Sequence, residues 1–245
     1  MNQKTIAIFG ATSAIAKEYG RIRSAKSDSL ILIGRNPEKL SEIKNDLIAR
    51  GAKSAKTISY DFNDLAGLQN LIGEVFQEKI DVALIAFGTL PNQQKCKNDF
   101  DYMLKHYSLN AISTISILSL IAEKMKLQKH GTIATITSVA GDRGKKSNYY
   151  YGAAKSSVST FLQGIRQDLY QSNVNVLDIK PGFVDTPMTN TFTKGFLWSQ
   201  PNKIALGINR AIQLKKNTVY LPFYWKWIMC LIKNIPESIF KKMNL

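Results

Sequence analysis

Three tyrosines stand just ahead of a lysine in the stretch YYYGAAKSS, residues 149–157. Residues four apart share one face of a helix, and Tyr151 lies four residues before Lys155, whereas the same step from Tyr149 or Tyr150 reaches an alanine. A phenol with an ordinary pKa of about 10 transfers protons near neutral pH only when its anion is stabilised, which an adjacent ammonium can do. The spacing therefore predicts a proton-transferring pair, Tyr151 and Lys155. A surface helix carrying the same two residues is the common alternative.

Ser138 and Asn110 are polar residues within apolar surroundings. Ser138 ends the run GTIATITS, and at the carboxyl end of a strand in a parallel sheet its hydroxyl would face the crevice where such folds bind ligands. Asn110 interrupts the helical pattern YSLNAISTISIL, where an amide bonded to the backbone is the alternative to a functional role. The candidate catalytic set is thus Asn110, Ser138, Tyr151 and Lys155.

Short apolar runs alternate with longer amphipathic segments along the chain, which is typical of a parallel sheet covered by helices on both faces. The sequence predicts one doubly wound, Rossmann-type α/β domain with a seven-stranded parallel sheet over residues 1–222, followed by an amphipathic basic tail over residues 223–245. The predicted strands are residues 5–9, 29–33, 56–60, 82–87, 131–137, 174–179 and 218–221. The predicted helices include residues 37–50, 65–77, 100–127, 151–171 and 202–215.

The composition narrows the class of protein. Two cysteines without C-x-x-C spacing suit neither a disulfide framework nor a zinc site, so we expect no metal and a reducing compartment. The first apolar run is short and is followed at once by charged residues, so we expect no export signal and a cytoplasmic protein. The net charge of +15 predicts an anionic partner, but the basic residues are spread along the chain, which does not favour nucleic acid.

The first strand runs into a turn and a helix in the segment IAIFGATSAIAKEYG. A tight turn at a glycine before a helix directs backbone N–H groups at an anion, as in sites that hold a dinucleotide pyrophosphate. An ordinary strand-to-helix turn is the alternative. The candidate cofactor residues in this turn are Gly10, Thr12, Ser13, Ala14 and Ile15.

Arg35 follows the second strand, where an acidic residue would otherwise bind the adenosine ribose hydroxyls. An arginine here suits a 2′-phosphate, so the sequence favours NADP(H) over NAD(H); a solvated loop residue is the alternative. Asp61, just beyond the third strand, is a candidate partner for the adenine amino group.

As an ordered set, these residues resemble the short-chain dehydrogenase/reductase family, from Thr5 to about Thr189. Two departures stand out, since Ala14 and Ala16 replace usual glycines, and residues 85–88 read Ile-Ala-Phe-Gly where Asn-Asn-Ala-Gly is usual. The methyl of Ala14 would crowd the pyrophosphate, whereas the position of Ala16 accepts alanine. The second departure affects the packing on the adenine side and none of the catalytic residues. The matching positions are residues 10–16, Gly34, Arg35, Asn36, Asp61, Ala86, Phe87, Gly88, Asn110, Ser138, Tyr151, Lys155, Pro181, Gly182, Phe183, Val184, Asp185 and Thr186.

The resemblance implies an NAD(P)-dependent oxidoreductase acting on a carbonyl or hydroxyl group. It implies that Ser138 orients the substrate and that Tyr151 is the general acid/base. It further implies that Lys155 binds the nicotinamide ribose and lowers the pKa of Tyr151, and that Asn110 holds a water of a proton relay. Val184 and Thr186 would contact the nicotinamide carboxamide. The full set of implied cofactor contacts is Gly10, Thr12, Ser13, Ala14, Ile15, Arg35, Asn36, Asp61, Ala86, Phe87, Gly88, Tyr151, Lys155, Pro181, Gly182, Val184 and Thr186.

Within the family, the segments AFGTLPNQ, SVAGDRGKKSNYYYGAAKSS and KPGFVDTPMT are most similar to reductases of polyprenyl-phosphate-linked keto sugars. Another hydrophobic carbonyl compound, such as a steroid, a keto-lipid or a ketoacyl thioester, is the alternative substrate. A non-catalytic NADP-binding sensor is the alternative class, although it has no need for the complete catalytic set. By resemblance we expect a homodimer or homotetramer.

The tail YLPFYWKWIMCLIKNIPESIFKKM interleaves aromatic residues with lysines. It is too short and too interrupted to span a bilayer, which takes about 20 apolar residues. Aromatic and basic residues together suit the headgroup region of an anionic membrane, so the tail predicts a peripheral protein at the inner face of the cell membrane. A tail packed on the domain or on a second subunit is the alternative.

Overall fold

Seven strands form one sheet in the computed structural model, which describes residues 3–243. The outermost residues of the predicted domain and tail, 1–2 and 244–245, lie outside this range. All neighbouring strands pair in parallel, in the order β3-β2-β1-β4-β5-β6-β7, which confirms the predicted fold. The strands are β1 Thr5–Phe9, β2 Ser29–Gly34, β3 Ser54–Ser59, β4 Val82–Ile85, β5 Gly131–Ile136, β6 Val174–Pro181 and β7 Thr218–Leu221.

Helices cover both faces of the sheet, because residues within each central strand alternate between two apolar clusters. The helices are α1 Ala14–Ser24, α2 Pro37–Ala49, α3 Leu68–Val75, α4 Gln93–Asn98, α5 Phe100–Tyr107, α6 Thr114–Gln128, α7 Tyr149–Asp168, α8 Pro201–Gln213, α9 Trp225–Asn234 and α10 Glu237–Phe240. Ile6 and Ile8 of β1 pack with α1, α2 and α8, whereas Ala7 and Phe9 pack with α3, α6 and α7.

The predicted helix 100–127 is not one regular helix. It consists of α5 and α6 joined by a π-helical turn, Ser108–Ser113, with Asn110 inside the turn. The predicted strand 82–87 is shorter, since β4 ends at Ile85 and the chain leaves the sheet before Gly88. Both differences lie beside the candidate site, where π-turns and strand ends are common.

The tail forms α9 and α10, and one side of α9 packs on the domain. Trp225 and Met229 are buried in a third apolar cluster with Val139, the residue after Ser138. Trp227 and Leu231, on the other side of α9, are exposed. One face of α9 thus packs on the domain, as the alternative to membrane binding predicted, and the opposite face is exposed. Within residues 3–243, no helix is long and apolar enough to cross a membrane.

Candidate active site

The site lies at the switch point of the sheet, where the chain order reverses between β1 and β4. Gly10 follows β1 with φ +87°, and an added Cβ would lie 2.6 Å from the backbone nitrogen of Phe87. Gly88 follows β4 with φ +156°, and its added Cβ would lie 2.9 Å from Asn110 Oδ1 and 3.4 Å from Lys155 Nζ. Glycine at both positions lets the two strand ends approach each other and lets Gly88 lie close to Asn110 and Lys155, two of the candidate catalytic residues.

The turn after β1 presents polar groups that suit an anion. Ser13 precedes α1 in extended conformation, but its side chain makes no capping hydrogen bond, and the first turn of α1 has no acidic residue. Thr12 and Ala14 are half-buried, so both remain accessible at this edge, whereas Ile15 is buried in the core and can meet a ligand only through its backbone. The turn therefore fits a pyrophosphate, with Ser13 as an unpaired hydroxyl.

Arg35 is exposed at the end of β2, and no carboxylate in residues 3–243 forms an ion pair with it. The side chain of its neighbour Asn36 accepts a hydrogen bond from Lys39 N at 2.7 Å, so Asn36 caps α2. Oδ1 of Asp61 accepts hydrogen bonds from the backbone and the side chain of Asn63, at 3.1 and 2.8 Å. Of these three side chains, Arg35 alone is fully free for a phosphate.

Phe87 stacks on Phe62, with ring centroids 4.1 Å apart and planes 13° from parallel. Phe62 directly follows Asp61 and is buried against Phe9. The stack joins the ends of β3 and β4, while Ala86 is buried in the core. The departure at residues 85–88 thus places an aromatic stack on the side where the resemblance implies the adenine.

Tyr151 is the tyrosine that meets Ser138. The Ser138 hydroxyl accepts a hydrogen bond from Ala140 N at 3.1 Å, and its interaction with the Tyr151 phenol lowers the pKa of Tyr151, which favours the phenolate. Tyr149 and Tyr150 instead pack on each other, with ring centroids 4.7 Å apart. The geometry therefore places one phenol at the serine.

Lys155 is buried on α7 behind Tyr151, and its Nζ donates a hydrogen bond to the Ile136 carbonyl at 3.1 Å. Burial lowers the pKa of Lys155 to about 8, opposed by the nearby carboxylate of Asp178. Burial also raises the pKa of Tyr151 to about 12, opposed by Ser138. In the chain by itself, Nζ lies 5.8 Å from the ring centre of Tyr151, and Ser138 is the residue that opposes the effect of burial. The implied lowering of the Tyr151 pKa by Lys155 stays a prediction.

Asn110 is buried in the π-helical turn, and its amide is bonded to one residue. Its Oδ1 accepts a hydrogen bond from Thr89 N at 2.9 Å, and its Nδ2 donates one to Thr89 O at 2.8 Å. These bonds hold the chain just after Gly88. The Asn110 side chain thus bonds to the backbone, as the alternative to a functional role predicted. Its implied role in holding a water of a proton relay stays a prediction.

The segment after β6 turns back over the site. Pro181 ends β6, and the indole of Trp225 fills the space beside Gly182, where an added Cβ would lie 1.9 Å from Nε1. Val184 is buried and Thr186 is half-buried. Trp225 therefore fixes the segment for which nicotinamide contacts are implied.

A buried charge cluster behind Ser138 was not predicted from the sequence. Lys180 Nζ lies 2.5 Å from Asp142 Oδ1 and 3.6 Å from Asp178 Oδ2, and Tyr220 donates a hydrogen bond to Asp142 Oδ2 at 2.6 Å. Polar residues at the end of an apolar strand, in VLDIKPG, are the sequence signal for it. The cluster anchors the loop that follows Ser138. Within residues 3–243, no group of His, Cys, Asp or Glu side chains could hold a metal ion.

Residues 4–195 match the family model for short chain dehydrogenases. The chain belongs to this family and is a short-chain oxidoreductase. It is 29% identical over 240 residues to an uncharacterized oxidoreductase of Mycobacterium tuberculosis, covering 97% of this chain and 96% of that protein.

Two solved structures show the same fold. A short-chain dehydrogenase from Sphingobium yanoikuyae in complex with NADPH has a TM-score of 0.82 at 18% identity, covering 96% of this chain and 97% of that one. A gluconate 5-dehydrogenase from Burkholderia cenocepacia in complex with NADP and tartrate also has a TM-score of 0.82, at 16% identity, covering 93% and 96%.

Proposed function

We infer that this oxidoreductase uses NADPH to reduce a keto group on a lipid-linked sugar at the surface of an anionic membrane. The observation that carries this proposal is the position of α9, which packs through Trp225 and Met229 against Val139, next to Ser138, and exposes an apolar face on its other side. Ser138 and the exposed face are therefore separated only by Val139 and the helix α9, and we propose that this face binds the membrane. Such an arrangement suits a substrate whose reacting end lies close to the bilayer.

The choice of NADPH rests on Arg35. Its guanidinium is exposed and unpaired within residues 3–243, at the strand end where a 2′-phosphate would lie, and a guanidinium binds phosphate in bidentate geometry. The NADPH and NADP in the two similar structures agree with this choice. Gly10, Ser13 and the start of α1 would hold the pyrophosphate.

The side chains around Tyr151 support carbonyl reduction. A reduced nicotinamide, when bound, supplies the hydride. The Ser138 hydroxyl and the Tyr151 phenol would bind the carbonyl oxygen, and Tyr151, protonated because its pKa is about 12, would donate its proton as the oxygen becomes an alkoxide. Ser138 and the charged Lys155 would then stabilise the phenolate. Burial of Lys155 strengthens this interaction by excluding water.

The exposed face of the tail combines large apolar side chains with lysines. Phe223, Trp227 and Leu231 are 75%, 63% and 73% exposed, and Phe196 on the segment after β6 is 93% exposed. Lys226, Lys233, Lys241 and Lys242 are exposed within or beyond the same stretch. Aromatic residues flanked by lysines are suited to the headgroup region of an anionic bilayer. A membrane therefore suits this face better than solvent does.

A polyprenyl-phosphate-linked keto sugar is the substrate class that suits both the side chains around Tyr151 and the exposed apolar face of the tail. The resemblance of the segments around Gly88, Ser138 and Pro181 to decaprenylphospho-erythro-pentofuranosid-2-ulose 2-reductase, an enzyme of this type, supports this choice. A lipid anchor would keep the sugar at the headgroup level, where α9 would hold the enzyme. The second candidate is a membrane-dissolved ketone without phosphate, favoured by the aromatic contacts of Phe183 with Trp198 and Trp225.

Liposome flotation tests the membrane part of this proposal without disturbing the fold. We expect full-length protein to bind vesicles containing anionic lipid, and Trp227→Ser with Leu231→Ser to lose most of this binding. Added salt should weaken binding, because surface charges are screened over about 10 Å at 0.1 M ionic strength. Met188→Ser, which also removes an exposed apolar side chain, is the control.

Full-length protein that stays off anionic vesicles at low salt would contradict the membrane claim. A change in oligomeric state in the Trp227 and Leu231 variant would instead assign this face to a second subunit. Neither result would alter the assignment as a short-chain oxidoreductase.

A further inference from the structure

Polar groups without a partner in residues 3–243 lie around the start of α7. They belong to Gln93 of α4 and to Lys145 and Asn148 of the loop before α7. Gln93 Nε2 and Asn148 Oδ1 are buried without a hydrogen-bond partner, and Lys145 is half-buried without an ion pair. We call these three residues the Lys145 cluster. Two hydrogen bonds place them around the start of α7, since Asn148 N donates to Lys145 O at 3.1 Å and Tyr150 N, in the first turn of α7, donates to Gln93 Oε1 at 3.5 Å.

Lys145 differs from the other cations of this region. Lys180 is buried between two carboxylates, and the Arg143 guanidinium binds the carbonyls of Ile232 and Ile235 at 2.7 and 2.6 Å. Burial alone lowers the pKa of Lys145, with no carboxylate near enough to oppose it. A cation withdrawn from water without a partner costs free energy, and such groups cluster at binding sites.

Asn148 is the residue before α7, where asparagine normally accepts a hydrogen bond from the first turn of the helix. Its side chain makes no such bond, and its Oδ1 is buried. The first turn of α7 also has no acidic residue, so the positive end of a 20-residue helix adds to the charge of Lys145. The electrostatics at this point favour an anionic, hydroxyl-bearing ligand.

The cluster is held close to the reacting groups. Residues 142–148 connect the turn after Ser138 to α7, which carries Tyr151 in its first turn. Asp142 is fixed at one end by Lys180 and Tyr220, and Arg143 is fixed to α9 and α10. A loop anchored in this way can orient a ligand with respect to the catalytic tyrosine.

We propose that the Lys145 cluster binds the phosphorylated sugar end of the substrate, with Lys145 at the phosphate and Asn148 and Gln93 at the sugar hydroxyls. A hydroxyl would donate to Asn148 Oδ1, and Gln93 Nε2 would donate to a sugar oxygen. The inference rests on the proposed function and adds to it a phosphate subsite beside Tyr151. It predicts that the enzyme distinguishes a phosphate-linked sugar from a neutral one.

Calorimetric titration of the NADPH-loaded full-length protein tests the subsite separately from turnover. The probes are farnesyl-phosphoryl-ribose, the farnesyl riboside without phosphate, ribose 5-phosphate and inorganic phosphate. The variants are Lys145→Gln and, as matched control, Lys146→Gln, which removes the exposed neighbouring lysine. Lys145→Gln should weaken the binding of farnesyl-phosphoryl-ribose by at least about tenfold, which is the lower end for a lost hydrogen bond to a charged group. The binding of the neutral riboside should not change.

Equal losses in the two lysine variants, unchanged binding in Lys145→Gln, or no binding of any phosphorylated probe to the unaltered protein would overturn the inference. If Lys145→Gln weakens the binding of ribose 5-phosphate or inorganic phosphate as much as the binding of the lipid-linked probe, the subsite would be assigned to free phosphates instead. Lys145-dependent binding without NADPH oxidation by the keto form would leave the subsite standing and refute the proposed function. A turnover rate that is unchanged in Lys145→Gln would refute the phosphate subsite and leave the proposed function standing.

Discussion

The charge on Lys155 should set the alkaline limit of carbonyl reduction. Burial lowers the pKa of this lysine to about 8, and Asp178 partly opposes the effect. As pH rises through this value Lys155 becomes neutral, and the phenolate formed on Tyr151 during proton donation loses a stabilising charge. Reduction should therefore be fast below the pKa of Lys155 and decline above it.

The size of the decline follows from simple titration. With a pKa of about 8, roughly nine-tenths of Lys155 is charged at pH 7 and about one-tenth at pH 9, so kcat/KM should fall about tenfold between them. Asp178→Asn removes the carboxylate that raises the pKa of Lys155, so the decline should begin at lower pH. The asparagine oxygen can still accept the hydrogen bond from Thr137, which keeps the side chain in place.

The assay is NADPH oxidation at saturating cofactor across this pH range, with the unaltered protein, Asp178→Asn and Asp185→Asn. Asp185 is a control of the same kind, since it pairs with Lys194 and is not among the causes that shift the pKa of Lys155. A decline that stays in place in Asp178→Asn, or that moves equally in Asp185→Asn, would refute the role given to Lys155.

Three other substitutions test separate parts of the structure. Tyr151→Phe should lower kcat by about 10²–10⁴-fold with little change in the NADPH dissociation constant, whereas equal losses from Tyr150→Phe would contradict the choice of tyrosine. Arg35→Asp should shift cofactor preference toward NADH, measured as the ratio of kcat/KM values; an unaltered protein that already prefers NADH would refute this. Trp225→Ala should cost about 3–5 kcal/mol in denaturant unfolding, against at most about 0.5 for exposed Trp227→Ala, and similar midpoints would show that α9 does not stabilise the domain.

The sheet was predictable because its strands are buried on both faces. The bounds of β1 and β7 agree with the predicted residues 5–9 and 218–221, and the other strands differ by at most two residues at either end. Helical spacing also identified the tyrosine that meets Ser138, since only Tyr151 shares a helix face with Lys155. These features depend on local pattern and on strand direction, which a sequence displays directly.

The rest depended on contacts between distant segments. Asp142 meets Lys180 and Tyr220, which are 38 and 78 residues away, and apolar patterning gives no register between them. The π-helical turn at Asn110 arises where its amide bonds to Thr89, so an unbroken helix was the simpler prediction. In the tail, the four-residue step from Trp225 to Met229 marks a buried helix face. The prediction for the tail rested on its aromatic and basic composition, which describes the exposed face.

Turnover on vesicles measures the proposed reduction of a lipid-linked keto sugar. Full-length protein would be mixed with NADPH and anionic vesicles carrying a polyprenyl-phosphoryl 2-keto-pentose, with vesicles carrying a steroid ketone or a simple keto-lipid in parallel. We expect NADPH oxidation with the keto-pentose, loss of this oxidation in Tyr151→Phe, and much slower oxidation with the steroid ketone and the keto-lipid. Rapid reduction of the steroid or keto-lipid without reduction of the phosphate-linked sugar would contradict the proposed function.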